Sequence, residues 1–378
     1  MNKLILFILT LFCLLPFTFS QNPLYLSFNL SDYGITSTFI VNSLITQFQI
    51  SLTELYSQIK NINYFSNSIS FHLLDKGIIT INNENYNYQL FTDHFRILRQ
   101  SGAAPLLLTK YPLLMISKGD YGIKDVLSFS YKITQPNTNL VDFLYNREQI
   151  LTNRNFGFVI TSPLNKIFFI GAKDNEYTYY NPFKTTCNVI PHKNGWNCQL
   201  KAVMINNNTL LSNDEVSFTL NNHTTFVPKQ YYSIIMNIVK HSKDSNSSIT
   251  YKCDELITAL PKIGFVFGNG VTWIDHATYV FNIRKNKCML LLQESPHSSK
   301  WIIGHFILNS LGIKFDYDES TITFFSKHDN NNNNNITFDN YYYKTTIKQR
   351  IFIIIIFILF IYIIMYLLFI KHIIININ

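Results

Sequence analysis

The chain is poor in glycine, with 13 among 378 residues, about half the ~7% average. A fold whose loops rest on glycine must therefore be sought here with those loops substituted. No Gly-x-Ser-x-Gly elbow and no His-Glu-x-x-His pair occurs, which sets aside serine hydrolase and zinc peptidase chemistry. The cysteines show no zinc-like spacing, and the sequence calls for no metal and no cofactor. Lys and Arg are scattered and form no stripe, although the formal charge is +8. A mildly basic, solvated surface accounts for that excess, and no nucleic-acid partner is expected. Helical patterns are also scarce. The best is Lys229 to His241, "KQYYSIIMNIVKH", with apolar residues at i, i+3 and i+4.

What is present begins with two long apolar runs. Lys3, the core "LILFILTLFCLLPF" and the small-residue offset Thr18-Phe19-Ser20 predict a secretory signal over residues 1–20. Near the other end, "IFIIIIFILFIYIIMYLLFI", residues 351–370, carries no charge and matches the ~20 residues needed to cross hydrocarbon. A single-pass membrane protein of the secretory pathway is expected, at the cell surface or in the endolysosomal system. Its bulk would be lumenal or extracellular, with a cytosolic tail over 371–378. A removable lipid-anchor signal is the rival reading, disfavoured by Lys371 and His372 after the run.

Cysteine count and sequons agree with that compartment. Cys13 leaves with the signal, and Cys187, Cys198, Cys253 and Cys288 remain. An even number in a secreted chain predicts two disulfides. Cys187 and Cys198 flank "NVIPHKNGWN", whose Asn194-Gly195 is a hairpin turn, so their pairing would clip it. Cys253 and Cys288 would then close a longer loop. Glycosylation sequons begin at Asn29, Asn207, Asn222, Asn246 and Asn335. Asn29, Asn207, Asn246 and Asn335 are taken as acceptors.

Between the ends, short alternating or apolar runs dominate, among them "STFIVNSLI", "QFQISL", "SISFHLL", "GIITI", "FGFVI", "VSFTL", "CMLLLQ", "WIIGHFIL" and "STITFF". They are rich in aromatic and β-branched residues and separated by polar turns, which predicts an all-β architecture. After Ser326 comes Asp329 and then the six asparagines of 330–335, a composition that buries no core. Residues 327–350 read as a solvated stalk.

The order of features over residues 156–326 resembles the C-terminal lobe of a pepsin-like aspartic peptidase. Trp301-Ile302-Ile303-Gly304-His305-Phe306-Ile307-Leu308 and Phe315-Asp316 match the family's Trp-Ile-Leu-Gly-Asp stretch and the strand after it. Leu260-Pro261 and Phe265 to Gly270 match its "LP" and "F.F..G" pattern. Cys253 and Cys288 occupy the places of its C-lobe disulfide. The resemblance implies an all-β, two-lobed pepsin-like fold with few short helices, plus one C-terminal transmembrane helix. Its lobes would span 21–175, the weaker match, and 176–326.

The family's catalytic loops carry Asp-Thr-Gly or Asp-Ser-Gly, and neither triplet occurs in this chain. In "VSFTLNNHTTFVP" the resemblance sets Asn221 at the catalytic Asp, Asn222 at the Thr and His223 at the Gly, while Thr224, Thr225 and Pro228 keep the frame. In "TQFQISLTELYSQI" it sets Thr53 at the first Asp, Glu54 at the Thr and Leu55 at the Gly. "SISFHLLDKGIITI" is matched to the flap hairpin, with Phe71 near the family's tyrosine, and Gly122 to the strand behind the first loop. Phe71, Asn222, His223 and Thr224 would thus line the cleft, with no catalytic carboxylate intact. His305, at the Asp that follows the motif glycine, reads as a structural change.

The chemistry needs two neighbouring carboxylates, one protonated and one acting as base. Asn221 holds a water without deprotonating it, and Thr53 adds no base. A Glu54/His223 pair is disfavoured. The expected function is therefore a family homologue without proteolytic activity that binds an extended peptide or protein segment by strand addition. The alternatives are an active, atypical aspartic endopeptidase and a diverged structural or adhesive surface glycoprotein.

Overall fold

The computed structural model describes residues 23–31, 34–41, 44–52, 57–59, 71–81, 84–99, 104–117, 125–131, 139–162, 165–191, 195–206, 208–240, 250–268, 270–274, 279–284, 287–297 and 299–326. The expected signal, stalk, membrane run and tail lie outside them. Among the described residues no helix is long and apolar enough to cross a membrane.

Strands dominate, as the alternation predicts. The N-terminal part forms an eight-stranded sheet. The C-terminal part forms sheets of five, four and three strands, and a six-stranded sheet draws on both. That shared sheet takes Leu24–Ser27, Asn155–Ser162 and Asn165–Ile170 from the first part, and Phe183–Asn188, Leu311–Asp316 and Thr321–Ser326 from the second. The expected boundary at 175/176 falls inside the short helix Asp174–Thr178, next to this sheet.

Helices are few and short. The longest, Lys229–Val239, starts at Pro228 and buries Tyr231, Ile235 and Val239, one every four residues. That spacing is the one-face repeat that marked the segment as helical. Two expected strands are corrected. "SISFHLL" and "GIITI" join in one strand, His72–Ile81, because Lys76-Gly77 does not turn: the Tyr88 ring lies over Gly77 from the neighbouring strand. "WIIGHFIL" stops being a strand at Ile303, and His305–Asn309 is a 3₁₀ helix. The cause is the backbone N–H groups of Gly304 and His305, which donate to Thr225 Oγ1 and the Asn222 carbonyl instead of to a ladder.

Both expected disulfides are present, Cys187–Cys198 and Cys253–Cys288. The first sits where Val189 bridges Cys198 and Ile190 N–H donates to Asn197 O. The second ties the start of the helix Cys253–Ala259 to the strand Lys287–Leu290.

The core is continuous across the two parts, and aromatic rings join them. Trp196 is buried and meets Tyr131, Phe156, Phe315 and Tyr317 at centroid distances of 4.9, 5.8, 5.1 and 4.9 Å. Its Nε1 donates to the Phe129 carbonyl at 2.9 Å.

One face of the shared sheet carries an ion network. Lys314 Nζ lies 2.5 Å from Asp174 Oδ1 and 3.1 Å from Asp316 Oδ2, and Lys184 reaches Asp174 at 3.0 Å. Burial alone would raise the Asp174 carboxyl, but bonds from Lys314 and Lys184 outweigh it and hold the group below its ordinary 3.8. Burial pulls Lys314 down, and Asp174 and Asp316 more than restore it, so it ends above its ordinary 10.5. The stabilisation from Asp174 is present above pH 3.8 and is lost as pH falls through the depressed folded value. That from Lys314 is present below pH 10.5 and is lost as pH rises through its raised value. Lys314→Met is expected to cost about 1–3 kcal/mol near neutral pH, the range for stranding a buried polar partner. Asp174 is 39% exposed, so solvent screens that half of the network. Urea midpoints of the two chains should begin to draw together as pH falls below 3.8 and meet once it passes the depressed Asp174 value; a gap that persists beneath that value would mean that packing, not charge, carries the effect.

Candidate functional site

The same weave of strands occurs once in each part. In the first, Leu44–Ser51 runs parallel to Val126–Ser128, with Gln49 opposite Val126, while Gln58 meets Val126 antiparallel from the other side. In the second, Glu215–Phe218 runs parallel to Lys300–Ile303, with Ser217 opposite Ile302, and Phe226 meets Ile302 antiparallel. One central residue thus pairs with the strand entering a loop and the strand leaving it. Gln49 to Gln58 and Ser217 to Phe226 each span nine residues (58 − 49 = 226 − 217 = 9).

Equal spans fix the correspondence. Asn221 stands four residues after Ser217, and Thr53 stands four after Gln49. Thr53, Glu54 and Leu55 lie outside the described residues. The loop after it obeys the same rule. Ser57 Oγ accepts from Ser128 N–H at 3.1 Å, and Thr225 Oγ1 accepts from Gly304 N–H at 3.2 Å.

The strand behind the first loop is therefore Val126–Ser128, and Ser128 is the counterpart of Gly304. This corrects the expectation placed on Gly122, which lies outside the described residues. The signal was legible: "VLSFSY" and "IIGHF" share an apolar pair followed by a small residue. A search for glycine passed over it because serine stands in the glycine's place. Gly304 itself is held to glycine, since a Cβ there would fall 2.5 Å from the His223 carbonyl oxygen.

Asn221, Asn222, His223 and Thr224 come together in one turn. The Asn222 side chain accepts from Thr224 N–H at 2.9 Å, and its carbonyl accepts from His305 N–H at 2.9 Å. Asn221 is exposed, Asn222 and His223 are half-buried, and Thr224 is buried. His223 lies 5.9 Å from the Phe306 ring and 6.5 Å from His305, which is fully buried at the start of its 3₁₀ turn. His305 thus fills a packed position, as expected of a structural change. The only titratable side chain among the four turn residues is His223.

The first part reaches the turn directly. Ile35 N–H donates to the Leu220 carbonyl at 2.9 Å. Gly34 has φ +125°, and a Cβ on it would lie 3.0 Å from Asn221 Cα. Sequence reasoning missed Gly34, because its constraint comes from a loop far away in the chain.

The stretch matched to the flap hairpin is, from His72 to Ile81, a single strand, and the hairpin it belongs to is completed by Glu84–Ile97. Phe71 sits at its foot, half-buried, stacked on Phe91 at 5.0 Å. Among the described residues no group of three or more His, Cys, Asp or Glu side chains is placed to hold a metal ion.

Residues 122–327 match the family model of the eukaryotic aspartyl protease, more than half of the chain. The chain belongs to that family. No curated protein matches it. Among solved structures it is similar to an aspartic proteinase from Irpex lacteus, at 13% identity and a TM-score of 0.64, over 81% of this chain and 97% of that one. It is likewise similar to Basic 7S globulin from soybean, at 12% identity and a TM-score of 0.66, over 81% and 96%. At such identities the likeness concerns the fold: mostly β, two-lobed and pepsin-like, with few short helices. Both lobes of the family are accordingly represented in the chain, and the paired weaves are their loop-bearing cores.

Proposed function

We propose that this member of the aspartyl protease family binds an extended peptide or protein segment between its lobes without hydrolysing it. What supports the reading is Asn221, which the resemblance sets at the family's catalytic Asp and which lies in the turn between two strands that pair with Ile302. An amide orients water but has no accessible pKa for taking its proton. The Thr53 position in the first loop offers only a hydroxyl. We place the domain in the lumen of the secretory pathway or outside the cell, anchored by residues 351–370. The signal-like start, the two disulfides and the uncharged run support that placement.

The second reading, an active atypical endopeptidase, is favoured by the family match, which spans the second loop. The two separate in one experiment. Full-length protein in detergent is incubated with peptides from a denatured protein at acid and neutral pH, and bound and free fractions are read by mass spectrometry. Retained peptides with unchanged termini are the expected result. New termini would establish the second reading, and no retention at either pH would remove the binding role.

A further inference from the structure

We infer that Asn29 carries an N-linked glycan and that this glycan covers an open edge of the eight-stranded sheet. The proposal rests on the secretory placement above and gives the Asn29 sequon a place and a role in the fold. Asn29-Leu30-Ser31 is a sequon, and the same three residues form the terminal strand of that sheet. Among the described residues the strand pairs on one side only: Asn29 opposite Thr36, Leu30 opposite Ile35 and Ser31 opposite Gly34. Asn29 is exposed, whereas Phe28 before it is buried and Leu30 after it is half-buried. The side chain is therefore open to solvent at the rim of the sheet, where a bulky polar chain can be attached.

An uncovered edge presents unpaired N–H and C=O groups to any other extended chain. The opposite edge, His72–Ile81, is guarded by charge. Asp75 accepts from Lys76 N–H and from Tyr88 hydroxyl, and Lys76 is exposed beside it. The Asn29 edge has no charged residue within Asn29–Ser31. A glycan supplies there the bulk and hydration that the charges supply on the other side.

The chemistry is that of an oligosaccharyl transfer from a lipid-linked donor. The Asn29 side-chain nitrogen forms a bond to sugar C1, the bond from C1 to the polyprenyl diphosphate breaks, and the amide loses one proton. Asn222, also in a sequon, differs in setting. It sits in the loop with its carbonyl and side-chain oxygens both engaged.

The test uses the full-length chain expressed in a eukaryotic secretory host, with glycopeptides read site by site. Asn29 is expected to be occupied and Asn222 empty. Asn29→Gln should lose one glycan's mass and sediment with a larger self-associated fraction. An empty Asn29 beside occupied Asn207 or Asn246 overturns the proposal and leaves the secretory placement standing. No glycan at any sequon overturns both. Occupancy without any change in self-association on Asn29→Gln overturns the covering role.

Discussion

With a denatured protein substrate at acid pH, the unaltered chain is expected to release peptides at least about 10²–10⁴ times more slowly than a pepsin-like enzyme bearing both carboxylates. That interval is what positioned acid–base help contributes to a rate, and it corresponds to about 3–5 kcal/mol of barrier. The register pairs Ser217 and Phe226 with Ile302, which leaves no freedom to slide another residue into the place of Asn221. The next acids along the chain on either side of the turn are Glu215, on the lead strand, and Asp244. His223 is the one base in the turn, and its ring packs toward Phe306. Hydrolysis at the rate of the control enzyme, blocked by a hydroxyl-bearing transition-state analogue, would show that another pair of groups does the work.

Trp196→Ala is expected to cost about 3–5 kcal/mol, the range for deleting a fully buried indole. Trp196 is 1% exposed and touches rings from both parts of the chain. Its removal leaves a void among Tyr131, Phe156, Phe315 and Tyr317 and strips the Phe129 carbonyl of its donor. Trp196→Phe separates the two losses. It keeps most of the packing and should cost about 1–3 kcal/mol for the unpaired carbonyl. Urea midpoints and the near-ultraviolet circular dichroism of the indole cluster are the readouts. A cost below about 1 kcal/mol for the alanine change would mean that the two parts do not lean on this residue.

The parts of the fold that were legible are those written in short-range pattern. The two disulfides and the helix after Pro228 each declare themselves within about a dozen residues or through cysteine identity, whereas the end of the Trp301 strand at Ile303 does not. The illegible parts depend on partners distant in sequence. Ser128 looked ordinary until its pairing opposite Ser51 placed it beside the first loop. Gly77 read as a turn because the ring that covers it, Tyr88, comes from the next strand. Gly34 gave no local reason for being glycine. At the site, "LNNHTT" marked the turn in which the structure gathers Asn221, Asn222, His223 and Thr224. Phe71 matched on the sequence flanking it, but its ring belongs to the packing at the foot of the hairpin.

The bond from Ile35 to Leu220 has a consequence for how anything enters. It pins one half of the molecule to the other a single residue away from Asn221, so prising the halves apart would tear the turn itself. The long hairpin exposes Leu73, Leu74 and Ile78 on its outer strand, which among the described residues pairs only with Glu84–Ile97.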